Sequence, residues 1–328
     1  MNYYLYKISF ITPLHCGSGE SAKSLESSRA SICADTLFSA LCCEAAADGG
    51  AQAVSDLCEG AKRGDVLFSD LFPYHGDDIY IPKPALLPKT FGEALEADRK
   101  KAMKSLEYIP LLRLEEYIDS MEGRSLFEPE GIFKNFAETE IVEKVSLKGL
   151  EKSNPYFVTT SVFNRGCGLH GLIACGDEKK LKTVKRLLRL LGMGGIGGKV
   201  SAGYGKFKIA DEYDLTYEED AYDEQTKRLW RMLTTEKAQA YLSLTTSLPS
   251  DEELGEAMEG SLTTLRRRGG FVASESYGAS RKKDTQYFLG AGSLFRKKYT
   301  GTLYNVARGG AHPVYRYSKP IFLGVDYQ

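Results

Sequence analysis

The apolar and polar positions of the chain fall into short periodic segments separated by small-residue loops. Residues 2–12, NYYLYKISFIT, alternate and are rich in Tyr, Ile and Phe, which predicts a strand. A loop of small residues follows, LHCGSGESAKSLESSRAS. Then Leu37, Phe38, Leu41, Cys42 and Ala45 recur at helical spacing, with Asp35 as the expected N-cap and Gly49-Gly50 as the stop. Residues 66–72 and 78–82 predict two short strands around the turn Tyr74-His75-Gly76-Asp77. Residues 83–150 have several prolines, a charged helical stretch at 93–104 and little clear period, and are read as an insertion. Residues 156–163 and 167–175 predict a hairpin about Asn164-Arg165-Gly166. Residues 178–191 form a basic amphipathic helix. A segment with seven glycines between 192 and 205 follows, and then a strand.

Strand, helix, hairpin, insertion, hairpin, helix, loop and strand make a βαββαβ order, which predicts a ferredoxin-like domain over residues 1–212. The acidic stretch 211–224 is read as a linker, with a short helix at 227–233 around Trp230, so that 213–234 separates two domains. A second series occupies 235–328: a strand at 238–246, a helix at 251–267 with Asp251 near its cap, and strands at 270–277, 286–289, 302–306 and 314–323. The expected fold class is α+β, with two ferredoxin-like (RRM-like) domains. The second is the smaller and reads as a diverged duplicate.

Composition adds little to this, but charge adds something. The net charge of −1 hides an asymmetry: 14 acidic against 4 basic residues over 211–260, and 12 basic against 3 acidic over 261–328. A neutral total therefore leaves room for one local basic track that a polyanion would use. The seven cysteines contain no CxxC pair, and no HxH or HExxH occurs, so no zinc site or disulfide framework is expected. No window approaches the ~18 apolar residues of a membrane span, and the N-terminus does not read as a signal peptide. A cytoplasmic protein without a metal or cofactor is the expectation. Tyr74-His75-Gly76-Asp77-Asp78 lacks the first glycine of a cyclase-type Gly-Gly-Asp-Asp turn and predicts no polymerase site.

The glycine-rich loop carries the most chemistry. Glycines allow close backbone approach, and successive N–H groups can cradle phosphates. The order here is helix, loop, strand, the reverse of a nucleotide-binding loop, so Gly194, Gly195, Gly197, Gly198, Lys199 and Ser201 do not form a Walker or dinucleotide motif. They suit an extended phosphate backbone instead. Three basic clusters, Arg266-Arg267-Arg268, Arg281-Lys282-Lys283 and Arg296-Lys297-Lys298, alternate with Tyr277, Tyr287, Phe295 and Tyr299. Cations beside aromatic faces suit single-stranded nucleic acid. Each cluster read alone is equally well solvated surface, and Arg266–Arg268 would close the predicted helix at its negative end.

The stretch RLLGMGGIGGKVSAGYGKFKI resembles the glycine-rich signature of the RAMP superfamily of CRISPR RNA-binding proteins. PLHCGSGE at 13–20, ADTLFSALC at 34–42, RRRGGF, the Gly-Ala-Gly-Ser turn at 290–293 and HPVYRYSKPIFLGV at 312–325 narrow the likeness to the fourth-subunit family of type III-A (Csm) CRISPR effector complexes. The resemblance covers most of the chain except 83–150. It implies a non-catalytic protein that holds the 5′ handle of the guide RNA. The partners it implies are the large polymerase-like subunit and the backbone RAMP subunit, with target RNA met indirectly. On this reading His15, Gly17, Ser18, Ser28 and Arg29 in the first loop, the glycine-rich loop, the basic clusters and His312 face RNA. Whether the first loop and the glycine-rich loop converge is left open by the sequence. The alternatives are a metal-independent RAMP endoribonuclease using His15, or His312 with Tyr315, as acid and base, and a scaffold without RNA contacts.

Overall fold

The computed structural model describes residues 1–17, 25–88, 97–146, 154–215, 222–278 and 282–327. Along the N-terminal part run β1 (Asn2–Phe10), α1 (Ala34–Arg63), β2 (Val66–Phe68), β3 (Phe72–His75), β4 (Asp78–Pro82), α2 (Ala97–Ser105), β5 (Tyr108–Pro110) and α3 (Leu114–Met121). Then come β6 (Ala137–Ser146), β7 (Asn154–Phe163), β8 (Cys167–Cys175), α4 (Glu178–Gly194) and β9 (Phe207–Asp214). The C-terminal part holds α5 (Glu224–Thr234), β10 (Ala240–Ser243), α6 (Asp251–Met258), β11 (Leu265–Arg268), β12 (Gln286–Leu289) and β13 (Leu294–Phe295). It ends with β14 (Thr302–Asn305), β15 (Tyr315–Ser318) and β16 (Phe322–Val325).

The main sheet runs β5-β4-β3-β8-β1-β9, with β2 also paired to β8. Its centre has the fourth-first-third-second strand order of a βαββαβ unit. β1 is buried on both faces. Tyr4, Tyr6 and Ile8 join Phe38, Leu41, Leu187 and Leu191 beneath α1 and α4. Leu5 on the opposite face joins Leu172, Leu229, Leu233, Leu242, Leu323 and Val325. The C-terminal part thus packs on the back of the N-terminal sheet, and the second core cluster is common to both halves. Lys7, on this buried side, donates to the carbonyls of Gly76 and Asp77 at 3.1 and 3.2 Å.

Several expectations are corrected. Residues 156–163 and 167–175 are strands but not a hairpin: β7 pairs along its whole length with β6, and β8 lies between β1 and β3. All nine residues of β8 are buried, as a central strand requires, whereas β6 is mostly exposed and supplies the partner for β7. The insertion therefore runs on to Phe163 and includes a two-stranded ribbon. The paired glycines do not end α1; Gly50, at φ 68°, kinks it, and a second arm continues to Arg63 and stops at Gly64. The acidic stretch does not begin as a linker. Asp211–Asp214 pair with β1, and Lys185 and Arg189 of α4 bond Asp214 and Glu212. Residues 216–221 lie outside the described residues. The short helix is α5, capped by Asp223, which accepts from the Thr226 N–H at 2.7 Å. The helix predicted to 267 ends at Met258, followed by Gly260 at φ 62°, and Arg266–Arg268 lie in a strand paired with β12.

The C-terminal strands form a three-stranded sheet, β13-β10-β16, and two separate ribbons, β11-β12 and β14-β15. After α6 its described residues contain no second α-helix. Residues 270–277 hold only an isolated bridge at Phe271 and a 3₁₀ turn.

Candidate nucleic-acid interface

The first loop and the glycine-rich loop meet. The Gly198 N–H donates to the His15 carbonyl at 2.8 Å, and the Gly205 N–H to the Pro13 carbonyl at 2.9 Å. A Cβ on Gly205 would stand 2.0 Å from the Ile196 oxygen, and one on Gly197 2.5 Å from the His15 oxygen. Both have positive φ, at 74° and 97°. These glycines are required by close approach of the chain to itself. The N–H groups of residues 195, 196, 198, 202, 203 and 205 all donate to protein carbonyls. Six of the eleven backbone N–H groups of residues 195–205 are thus used in closing the loop.

His15 is buried, and its Nδ1 donates to the Thr159 carbonyl at 2.7 Å. Ser28 accepts from the Cys16 N–H and donates to the Leu14 carbonyl, so both residues fix the loop's shape. Gly17 and Arg29 border a small concavity with Cys33 and Arg266–Arg268. Lys199 holds its ammonium 4.6 Å from the centre of the Tyr156 ring on β7, and Ser201 is exposed. Ser18 and Arg281 lie outside the described residues.

The second half of the site comes from the C-terminal part. Arg268 makes two bonds to the Asp35 carboxylate, at 3.0 and 2.6 Å, and one to Thr36 Oγ1 at 2.8 Å. Arg316, 3% exposed, approaches Asp35 to 3.7 Å and donates to the carbonyl of Asp284 and to Gln286. Lys283 reaches Ser39 at 3.4 Å. Asp35 is therefore not the helix cap. Cys33 occupies that position, and the Ala34 N–H donates to Oδ1 of buried Asp70. Burial works to raise the Asp35 carboxyl, but the charges of Arg268 and Arg316 hold it below its ordinary value. Burial pulls Lys283 and Arg316 down from their ordinary values, and Asp35 offsets this only in part. Three sheltered cations face one paired carboxylate, leaving a local excess of positive charge.

This excess lies along a cleft of about 380 Å³ between the first half of α1, the glycine-rich loop and the turn after β11. Phe271, 74% exposed, stands at its edge, carried there by Gly269-Gly270. Phe271 is not among the residues that the sequence singles out for RNA; its signal in RRRGGF is an aromatic directly after a basic run and two glycines.

Other candidates lie apart from the cleft. Arg296 donates to the carbonyls of Gln239 and Tyr327, and Lys297 pairs with Glu256 and Glu259. Lys298 donates to the Thr235 carbonyl and covers the Tyr241 ring. His312 bonds Ser274 at 2.9 Å and packs against Tyr277. Lys282 and Arg267 are exposed beside the cleft, and Arg266 is half-buried. The basic face of α4 is neutralised by Asp65, Asp48, Glu212 and Asp214. Among the described residues no helix is long and apolar enough to cross a membrane.

Comparison with known proteins agrees with this architecture. Residues 7–208 match the RAMP superfamily, and residues 236–325 match the CRISPR Csm4 C-terminal domain. The CRISPR system Cms protein Csm4 of Mycobacterium tuberculosis (strain H37Rv) is 34% identical over 311 residues, covering 92% of each chain. That of Streptococcus thermophilus is 30% identical over 334 residues, covering 99% of this chain and 100% of the relative. Among solved structures, a Csm3-Csm4 subcomplex of a type III-A CRISPR-Cas interference complex matches at TM-score 0.64 and 15% identity. It covers 99% of this chain and 100% of the other. A Csm1-Csm4 cassette in complex with pppApA matches at 0.61 and 20% identity, covering 100% and 99%. With a RAMP match over most of its length and two full-length relatives at 30% identity or more, the chain belongs to the CRISPR Csm4 family of the RAMP superfamily.

Proposed function

We propose that the protein is a non-catalytic guide-RNA subunit of a type III-A interference complex. It holds the 5′ handle of the guide and joins a large polymerase-like subunit to the backbone RAMP subunit. The observation that carries the RNA reading is the excess of sheltered cations along the cleft that both halves of the chain build. Single-stranded RNA recognition uses such a groove for phosphates and exposed rings for bases. The docking reading is supported by relatives solved as Csm1-Csm4 and Csm3-Csm4 assemblies. On the ribbon β6-β7, Ile141, Val145 and Phe157 share one exposed face, which suits a projection that wedges into the guide–target duplex.

The reading also has the chain cut no RNA. His15 has one ring nitrogen committed to a carbonyl, and His312 is bonded to Ser274. The test is the guide RNA recovered with the assembled complex. Its 5′ handle should be intact, and its length unchanged by His15→Ala or His312→Ala. Accumulation of uncut precursor in cells carrying either substitution, with assembly normal, would make the protein a nuclease. Failure of handle RNA to crosslink to the chain would make it a scaffold.

A further inference from the structure

Helix α1 carries two cysteines placed evenly about its kink. Cys42 lies eight residues before Gly50, and Cys58 eight residues after it. A straight helix would hold them about 24 Å apart. Their sulfurs are instead 4.0 Å apart and share a hydrogen bond, because Gly50, at φ 68°, folds the second arm back beside the first. About 2 Å of approach separates this contact from an S–S bond. Cys58 is buried in the N-terminal core, whereas Cys42 is half-buried. The bond from Cys42 holds the Cys58 thiol below its ordinary value; burial opposes this, and the Lys62 charge one turn on adds to it. The same contact, with burial, raises Cys42. Cys42 is therefore the donor of the S–H···S bond and Cys58 the more acidic partner. The other cysteines offer no such pair among the described residues: Cys167 and Cys175 donate to the carbonyls of Asn135 and Asp177, and exposed Cys43 bonds no sulfur.

We propose that Cys42 and Cys58 form a peroxide-reactive dithiol, which closes reversibly to a disulfide that pins the two arms of α1 together. The co-reactant is hydrogen peroxide, small enough to reach half-buried Cys42. The Cys42 proton passes to Cys58 along the S–H···S bond as the Cys42 sulfur takes one peroxide oxygen. The O–O bond breaks, and the departing hydroxide picks up a proton to become water. The Cys58 sulfur then attacks the Cys42 sulfenic acid. An S–S bond forms, the S–O bond breaks, and the second hydroxide leaves as water with the proton that Cys58 held. Two thiols have lost two electrons and two protons, and one peroxide has become two waters. A dithiol returns the pair to its reduced state by exchange. The first arm lines the cleft with Asp35, Thr36 and Ser39, so the disulfide fixes the wall on which Arg268 is seated. This inference does not depend on the RNA-holding reading.

The test treats the reduced, purified full-length chain with hydrogen peroxide, alkylates the remaining thiols and maps the fragments by mass spectrometry. Cleavage at Asp48 and Asp56 separates the two cysteines. A fragment containing Cys42 should be linked to one containing Cys58, and the seven free thiols should fall by two. Dithiothreitol should restore both. Cys43→Ser should keep the linkage, which assigns it to Cys42 rather than its neighbour. Cys58→Ser should abolish it and leave a Cys42 sulfenic acid that dimedone traps. Should that variant not fold, Cys42→Ser, at the half-buried position, should also abolish the linkage. Amide exchange along the second arm should slow about tenfold or more in the oxidised wild type, since the cross-link closes a loop of about 15 residues. Seven thiols persisting in peroxide, or a linkage lost in Cys43→Ser, would overturn the assignment of the pair. Unchanged exchange in the linked protein would overturn its action on α1.

Discussion

Arg266–Arg268 with Lys283, and Arg296–Lys298, are alike in sequence: runs of cations beside aromatic rings. Their surroundings differ. The second run is matched inside the chain by two glutamates, three carbonyls and a tyrosine face. In the first, Arg268, Lys283 and Arg316 share one carboxylate, that of Asp35. α4 makes the same point, since four of its basic side chains are each met by an acid from a neighbouring element. A basic cluster is available to a polyanion only where its own fold leaves it under-compensated, and partners, more than charge counts, decide that.

The comparison breaks most severely at Asp35. Removing the one carboxylate that Arg268 and Arg316 share leaves buried cations unpaired, at a cost of about 3–5 kcal/mol. Asp35→Asn should lower the unfolding midpoint by several degrees. Guide RNA should restore more of that loss in the variant than it adds to the wild type, since its phosphates replace the missing charge. Equal RNA stabilisation of both proteins would show that the cleft does not take RNA phosphate.

Gly205→Val comes next. It places a branched Cβ 2.0 Å from a backbone oxygen at positive φ, and a loss of about 3 kcal/mol is expected from strain and the lost loop closure. Denaturant unfolding measures it. A small loss with abolished RNA binding would return the glycines to the role of phosphate cradle.

Asp70 joins the two halves by accepting from the Ala34 and Thr246 N–H groups and the Thr246 hydroxyl. Burial raises its carboxyl to about 6, with those hydrogen bonds offsetting part of the rise. The folded state then binds its proton more tightly than the unfolded state does. This contribution is therefore full below about pH 4 and is lost as pH rises through 6, by about 3 kcal/mol in all. Asp70→Asn should flatten the stability profile between pH 4 and 6. An unchanged profile would place the titration elsewhere.

The smallest effect separates the two basic runs directly. Lys283→Ala should reduce the log–log salt dependence of RNA binding by about 0.7, and Lys297→Ala should leave it unchanged. Equal slopes for both would remove the distinction.

Much of the N-terminal fold was legible because its signals are local: alternation in residues 2–12, helical spacing from Leu37 to Ala45, and the amphipathic run 178–191. What was not legible depends on partners distant in sequence. The period of β7 says strand, but not that residues 137–146 rather than 167–175 pair with it. Arg266–Arg268 continue a helical charge pattern, and only pairing with Gln286–Leu289 makes them a strand. For the site, the residue types and the two converging loops could be read as candidates. The division of labour could not, because it depends on Asp35 lying opposite Arg268, 233 residues away.

The most direct measurement is the position of RNA on the surface. Guide RNA bearing thiouridine through its 5′ handle would be assembled into the complex and irradiated, and the crosslinked peptides of this chain mapped by mass spectrometry. Crosslinks should fall on the cleft, at Phe271 and Lys283 and on the adjoining loop at Lys199. Crosslinks confined to Arg296, Lys297 and Lys298 would contradict the account.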